Sequence, residues 1–235
     1  MIQFNFLDAL KILALATRWT IVLSLIALIG GGIFGLIITL LRISKNRFLR
    51  GMASFFISFV QGTPLLMQLF IIFFGIPILL GFDVPAFVSA SIALIAYAAA
   101  YLADIWRGSV ESIPKAQWEA GTSLGLSWLE QFRYVILPQA VKVSIPPTIG
   151  FAVQVIKNTS LTSIIGYVEL TRQGQILNNA TFRPFAIFAM VGAIYFAVCY
   201  PLSTYSKRLE IRLTHDMPVE TKPKDSGAPE PLGAI

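Results

Sequence analysis

This chain of 235 residues is poor in charge, with Asp, Glu, Lys and Arg making up only 13% of it. A soluble domain carries about 25%. Cysteine and histidine are nearly absent. The single cysteine, Cys199, stands inside an apolar run, and the single histidine, His215, lies in a polar C-terminal stretch. One cysteine excludes a disulfide framework and a cysteine-rich metal site. No G-x-x-x-x-G-K-[ST] run occurs, so the chain has no P-loop of its own for a nucleotide. Charge is missing altogether from Trp19 to Leu41, Gly51 to Phe82, Val84 to Ala103 and Pro184 to Ser206.

Each of those runs reaches or exceeds the ~20 apolar residues that a helix needs to cross ~30 Å of hydrocarbon. With 56% hydrophobic residues and a mean hydropathy of +0.73, the sequence is that of an integral membrane protein. A net charge of +6 raises the possibility of nucleic-acid binding, but the positions exclude it. Arg42, Lys45, Arg47 and Arg50 crowd one short loop, and Lys207, Arg208 and Arg212 follow the last apolar run. Such flanking clusters are the positive-inside signal. Lys11 and Arg18 precede an apolar run too long for a signal-peptide core, so residues 1–18 are expected as an amphipathic lead-in to the first span.

The expected spans are about 14–41, 51–81, 85–106, 143–166 and 184–206. In the first, Gly31 and Gly35 form a G-x-x-x-G pair that permits close helix approach, read as packing within the bundle. The second carries Gly62-Thr63-Pro64 and Pro77, which predict a kinked helix. Gly81-Phe82-Asp83-Val84-Pro85 predicts a turn back into the membrane. The fourth is interrupted by Pro146-Pro147 and by Lys157-Asn158-Thr159-Ser160, and polar residues follow from Glu169 to Arg183. Residues 214–235, with four prolines, read as a disordered cytoplasmic tail. If the 42–50 loop is cytoplasmic, alternation places the N-terminus outside, the polar 107–142 segment inside and the C-terminus in the cytoplasm.

The 107–142 segment is the part most able to meet a soluble partner. Pro114 can start a short helix over Lys115 to Leu124, Gly125 turns the chain, and Ser127 to Val135 forms a second helix before Pro138. On the first helix Trp118, Thr122 and Gly125 share a face with Glu119 beside them. By itself such a segment is an ordinary amphipathic connector. The run Glu119-Ala120-Gly121-Thr122-Ser123-Leu124-Gly125, followed after nine residues by Val135-Ile136-Leu137-Pro138, makes it more. It resembles the EAA loop of bacterial ABC importer permeases: Glu-Ala-Ala, three residues, Gly, nine residues, Ile, one residue, Leu-Pro. Gly121 replaces the second Ala of that pattern, and Val135 stands at the Ile position.

Five segments, in order, are similar to the polar amino-acid branch of these permeases. Gln61-Gly62-Thr63-Pro64-Leu65-Leu66-Met67-Gln68 resembles R-G-T-P-L-L-x-Q, with Gln61 for Arg. Tyr101 to Gly108 resembles Y-x-A-E-x-x-R-G with Asp104 for Glu, and Ser112 to Ala120 resembles S-I-P-K-G-Q-x-E-A with Ala116 for Gly. Lys157-Asn158-Thr159-Ser160-Leu161 and Glu169-Leu170 resemble K-[DN]-T-S-L and a later E-L.

The resemblance implies an all-α integral membrane protein of the type I importer permease fold, with five transmembrane helices and a cytoplasmic coupling-helix loop at 107–142. It implies a multi-pass bacterial inner-membrane subunit that pairs with itself or a homologue. Two ATPase subunits carrying ATP and Mg would dock on it, and an extracytoplasmic amino-acid-binding protein would serve it; no cofactor is expected on this chain. Coupling then falls to Trp118, Glu119, Ala120, Gly121, Gly125, Leu137 and Pro138. The competing class is a channel or another membrane protein sharing the topology. A channel needs no exposed coupling knob, and an intramembrane enzyme needs a polar catalytic set that the sequence lacks. Gly121 to Gly125 fits the G-x-S-x-G of serine hydrolases by chance, since no strand precedes it and His215 is remote.

Ionisable groups near hydrocarbon are costly unless paired or facing water, so Lys157 and Glu169 stand out. Broken membrane helices also present free backbone groups that can hold a zwitterion. Asn158, Thr159, Ser160 and Glu169 are therefore candidates for lining a substrate pathway. Glu169 and Lys157 forming a structural pair is the alternative, and both remain open at this point.

Overall fold

The computed structural model describes residues 5–44 and 46–215. Every regular element among them is helical. This is the expected solution in lipid, where each backbone N–H and C=O must be satisfied within its own segment. We number the helices α1 (Phe6–Ile43), α2 (Arg47–Gly62), α3 (Leu65–Leu80), α4 (Ala86–Glu111), α5 (Lys115–Ser123), α6 (Trp128–Ser163), α7 (Leu170–Thr181) and α8 (Pro184–His215). Four of them, α1, α4, α6 and α8, are each long and apolar enough to span a bilayer. The pair α2–α3, bent by 103°, is long and apolar enough only when taken together, and counted as one span it makes a fifth crossing. The tail expected from residue 214 lies, from 216 onward, outside the described residues, and α8 runs through His215.

Helix α4 is the centre of the bundle. Of its apolar stretch 56% is buried, against 22–28% in the other spans. Its small side chains Ala90, Ala93, Ala98, Ala99, Ala100 and Ala103 let α1 approach closely. A Cβ on Gly31 would stand 2.4 Å from Ala98 Cβ, and one on Gly35 would stand 3.1 Å from the Ala99 carbonyl oxygen. The G-x-x-x-G pair is thus used inside the chain, on the most extensive helix pairing of the fold. The opposite side of α1, including Ile29, Ile33, Phe34 and Ile37, is exposed, as a lipid-facing surface must be.

The prolines divide into two kinds. At Thr63-Pro64 the chain breaks, and α2 and α3 meet at 103° rather than forming one kinked helix. The ring of Pro64 pushes Thr63 out of the helical region to φ −115°, ψ 138°. Gln68 closes the gap: its Nε2 lies 2.8 Å from the Val60 carbonyl, 3.1 Å from the Thr63 carbonyl and 2.9 Å from Thr63 Oγ1. Pro77 and Pro138 are absorbed instead. Each follows a π turn, Ile71–Gly75 or Gln131–Ile136, in which the ladder shifts to i→i+5 before the missing N–H. Pro146 and Pro147 also lie within one continuous helix, so α6 carries no break there. The second helix expected to stop before Pro138 runs on to Ser163.

The lead-in expected at 1–18 is, from Phe6, the opening of α1 itself. Ala9 and Leu13 pack with Leu170, Ile187, Met190 and Val191 of α7 and α8. The polar stretch after Glu169 is therefore a packed helix.

Candidate functional site

The EAA-like segment forms a two-helix knob. Helix α5 ends in a left-handed turn at Gly125, φ +73°. The Leu126 N–H bonds the Gly121 carbonyl (3.1 Å) and the Gly125 N–H bonds the Thr122 carbonyl (2.9 Å). This is the Schellman arrangement, which favours glycine at Gly125 because a Cβ there would be strained. Two residues on, Ser127 and Glu130 cap the start of α6 reciprocally: the Ser127 N–H donates to Glu130 Oε2 (2.8 Å), and the Glu130 N–H donates to Ser127 Oγ (3.4 Å).

The back of the knob is apolar. Ile113, Ile136 and Ala140 are buried there, with Val110, Trp118, Phe132, Val135 and Val143 packed on them. Trp118 therefore faces inward, as does Gly121, whose Cβ position lies 2.8 Å from Gln131 Cγ. Glu119, Ala120 and Ser123 are exposed, and beyond them stand Leu124, Trp128 and Leu129 at 78%, 50% and 65% exposure. Trp128 stacks on Phe132 with centroids 5.4 Å apart. Leu137 and Pro138 are exposed too, but on α6, where Pro138 follows the π turn. The seven residues singled out in the sequence thus separate into an outward surface (Glu119, Ala120) and the framework that presents it.

Helix α4 leads into this knob through its own staple. Arg107 donates to Asp104 Oδ1 (2.8 Å), one turn back, and to Glu111, one turn ahead. Ser112 Oγ then bonds the Ser109 carbonyl (2.8 Å) as the chain leaves the helix.

At the far end of α6, the candidate pathway residues part company. Glu169 and Thr159 are fully buried. Glu169 caps α7: Oε1 accepts from the Arg172 N–H (2.9 Å), and Oε2 accepts from the Tyr195 hydroxyl (2.8 Å) and Thr20 Oγ1 (3.3 Å). Thr20 Oγ1 in turn accepts from the Leu170 N–H (3.2 Å), and the Tyr195 hydroxyl pairs with Thr171 Oγ1 (3.1 Å). A carboxylate at a helix N-terminus also meets the favourable end of the helix dipole. This closed network joins α1, α7 and α8. Lys157 is exposed, and no ion pair links it to Glu169 among the described residues. The structural pair expected as one alternative is not formed, because hydroxyls and a backbone N–H satisfy the carboxylate instead.

Asn158 and Ser160 are half-buried, and Gln154 and Lys157 are exposed on the same helix. Gln154 donates to the Tyr97 hydroxyl (3.0 Å), which belongs to an aromatic stack of Tyr97, Tyr101 and Phe151. Gln131, Thr20 and Tyr195 were not singled out from sequence. Their one signal was polarity within or beside apolar runs.

Three comparisons with known proteins agree. The family model described as binding-protein-dependent transport system inner membrane component matches residues 9–215. The L-cystine transport system permease protein TcyB of Bacillus subtilis is 41% identical over 198 residues, covering 83% of this chain and 83% of its own. The glutamine transport system permease protein GlnP of Escherichia coli is 36% identical over 206 residues, 87% of this chain and 94% of its own. Among solved structures, an amino acid ABC transporter with histidines superposes with a TM-score of 0.84 at 32% identity, covering 90% of this chain and 100% of that one. An inward-facing MetNI methionine ABC transporter has a TM-score of 0.69 at 16% identity, covering 86% and 96%, and shares the fold.

Proposed function

The chain belongs to the family of binding-protein-dependent transport system inner membrane components, and on that premise we propose that this permease subunit carries polar amino acids handed over by an extracytoplasmic binding protein. Similarity over 83–90% of the chain to amino-acid transport permeases and an amino acid ABC transporter supports that cargo class. ABC ATPase and binding-protein partners follow from the family. The finer assembly is our reading: two copies of this chain, or this chain and a homologue, with two ATPase subunits that hold ATP and Mg. The 42–50 loop, the 107–142 knob and the C-terminus face the cytoplasm in this reading, with the N-terminus outside.

The observation that carries the coupling role is the α5 knob, buried along its back and exposed along Glu119, Ala120 and Leu124. An element so firmly held, yet apolar at its tip, fits a groove in a soluble partner. Closure of the ATPases on ATP draws two such knobs together. The motion passes through α4 and α6, which flank the knob, and the bundles rock to open the pathway outward. Asn158 and Ser160 face that pathway with Gln154 and Lys157, while Thr159 and Glu169 frame it from behind.

The test is reconstitution in proteoliposomes with the ATPase and binding protein, measuring uptake of glutamine and cystine. Glu119→Lys should insert and fold normally yet lose uptake and substrate-stimulated ATP hydrolysis. Normal uptake by that variant would remove the coupling role.

A further inference from the structure

We propose that Gln131 is a positioning residue for energy coupling, forming with Gly121 a latch that sets how the α5 knob is presented to the ATPase. The latch rests on the coupling role proposed above. Gln131 is 7% exposed on a knob whose tip is otherwise open. Its Nε2 donates to Thr122 Oγ1 (3.1 Å) and to the Leu126 carbonyl (2.9 Å), gripping the Schellman turn on both sides. Its stem occupies the space where a side chain at position 121 would go: a Cβ there would lie 2.8 Å from Cγ and 3.2 Å from Cδ. Gly121 is also the position at which this chain departs from the Glu-Ala-Ala pattern. The departure and the glutamine fit each other, since a methyl at position 121 would force the stem to shift.

Gln131 opens the π turn Gln131–Ile136, through which α6 continues into its membrane-spanning part. The other side-chain bond between α5 and α6, Gln139 to Gln117, is longer at 3.4 Å. A displacement of α5 therefore reaches α6 through the Gln131 amide together with the apolar contacts of Trp118.

The experiment uses the complete importer in proteoliposomes, with an equimolar mixture of the common amino acids and cystine supplied to the binding protein. The readout is ATP hydrolysis with the mixture relative to hydrolysis without it. Losing one neutral hydrogen bond changes an equilibrium about fivefold and Gln131 makes two, so Gln131→Ala and Gln131→Met should each lower the stimulation by about fivefold or more. Gln131→Met keeps the stem but not the bonds, and full stimulation in that variant would overturn the latch. Gly121→Ala should lower stimulation in the wild-type background and change nothing in the Gln131→Ala background, where the stem is gone. An equal effect in both backgrounds, or none in either, would overturn the pairing. Glu119→Lys run alongside separates the two levels. Loss of stimulation there with no Gly121–Gln131 interdependence removes the latch alone, whereas retained stimulation removes the docking role and the latch with it.

Discussion

Glu169 offers the clearest quantitative test of how the outer part of the bundle is built. Replacing it with Ala removes the α7 cap, which costs about 1 kcal/mol. It also strands the Tyr195 and Thr20 hydroxyls that now meet Oε2, adding about 1–3 kcal/mol. Glu169→Gln is milder. The amide oxygen can stay on the Arg172 N–H, the amide N–H can donate to the hydroxyl oxygens, and Tyr195 can turn its O–H to Thr171 Oγ1, so that only the Thr20 O–H loses its acceptor. About 1 kcal/mol is expected for that change. At about 2–4 °C per kcal/mol for a chain of this length, Gln lowers the melting temperature by about 2–4 °C and Ala by roughly 10 °C. The single cysteine gives the assay, because buried Cys199 reacts with a thiol-reactive fluorophore only as the bundle opens. Lys157→Met should not rescue Glu169→Gln, since Lys157 is exposed and unpaired with it. Rescue, or an unchanged melting curve for Glu169→Ala, would refute the capping account. So would lost uptake in Glu169→Gln at unchanged stability, which would place the carboxylate in the pathway.

Three further outcomes follow from the packing and the charge pattern. Gly31→Ala puts a methyl group against Ala98 and the α4 backbone, and should cost about 1–3 kcal/mol in the same thermal assay. Gln68→Leu leaves the Val60 and Thr63 carbonyls without their amide partner; about 1–3 kcal/mol should be lost, with faster proteolysis at the α2–α3 break. For orientation, a reporter active only outside the cytoplasm should be active when inserted near Asp83 and silent when fused after Leu213; the reverse pattern would overturn the assigned topology.

Much of this molecule is fixed by rules that act along the chain. The charge-free runs become membrane helices because a backbone in hydrocarbon can satisfy itself only within a helix or a closed barrel. Gly125 turns the knob because its left-handed φ of +73° is a local property of one residue. The same local logic places a break beside Pro64, though not its angle. Position-by-position reading failed where the deciding partner is distant in sequence. Glu169 meets Thr20, 149 residues away, and Tyr195, 26 residues away, so its role as a cap rather than a partner of Lys157 was settled only by how α1, α7 and α8 pack. Trp118 shares its stretch of sequence with Glu119, yet Ile113, Ile136 and Ala140 decide that the indole turns inward while the carboxylate stays out. Prolines show the division most plainly: each removes an N–H, yet the helix breaks at Pro64 and shifts to a π turn and continues at Pro77 and Pro138, a difference that the pyrrolidine ring alone does not decide.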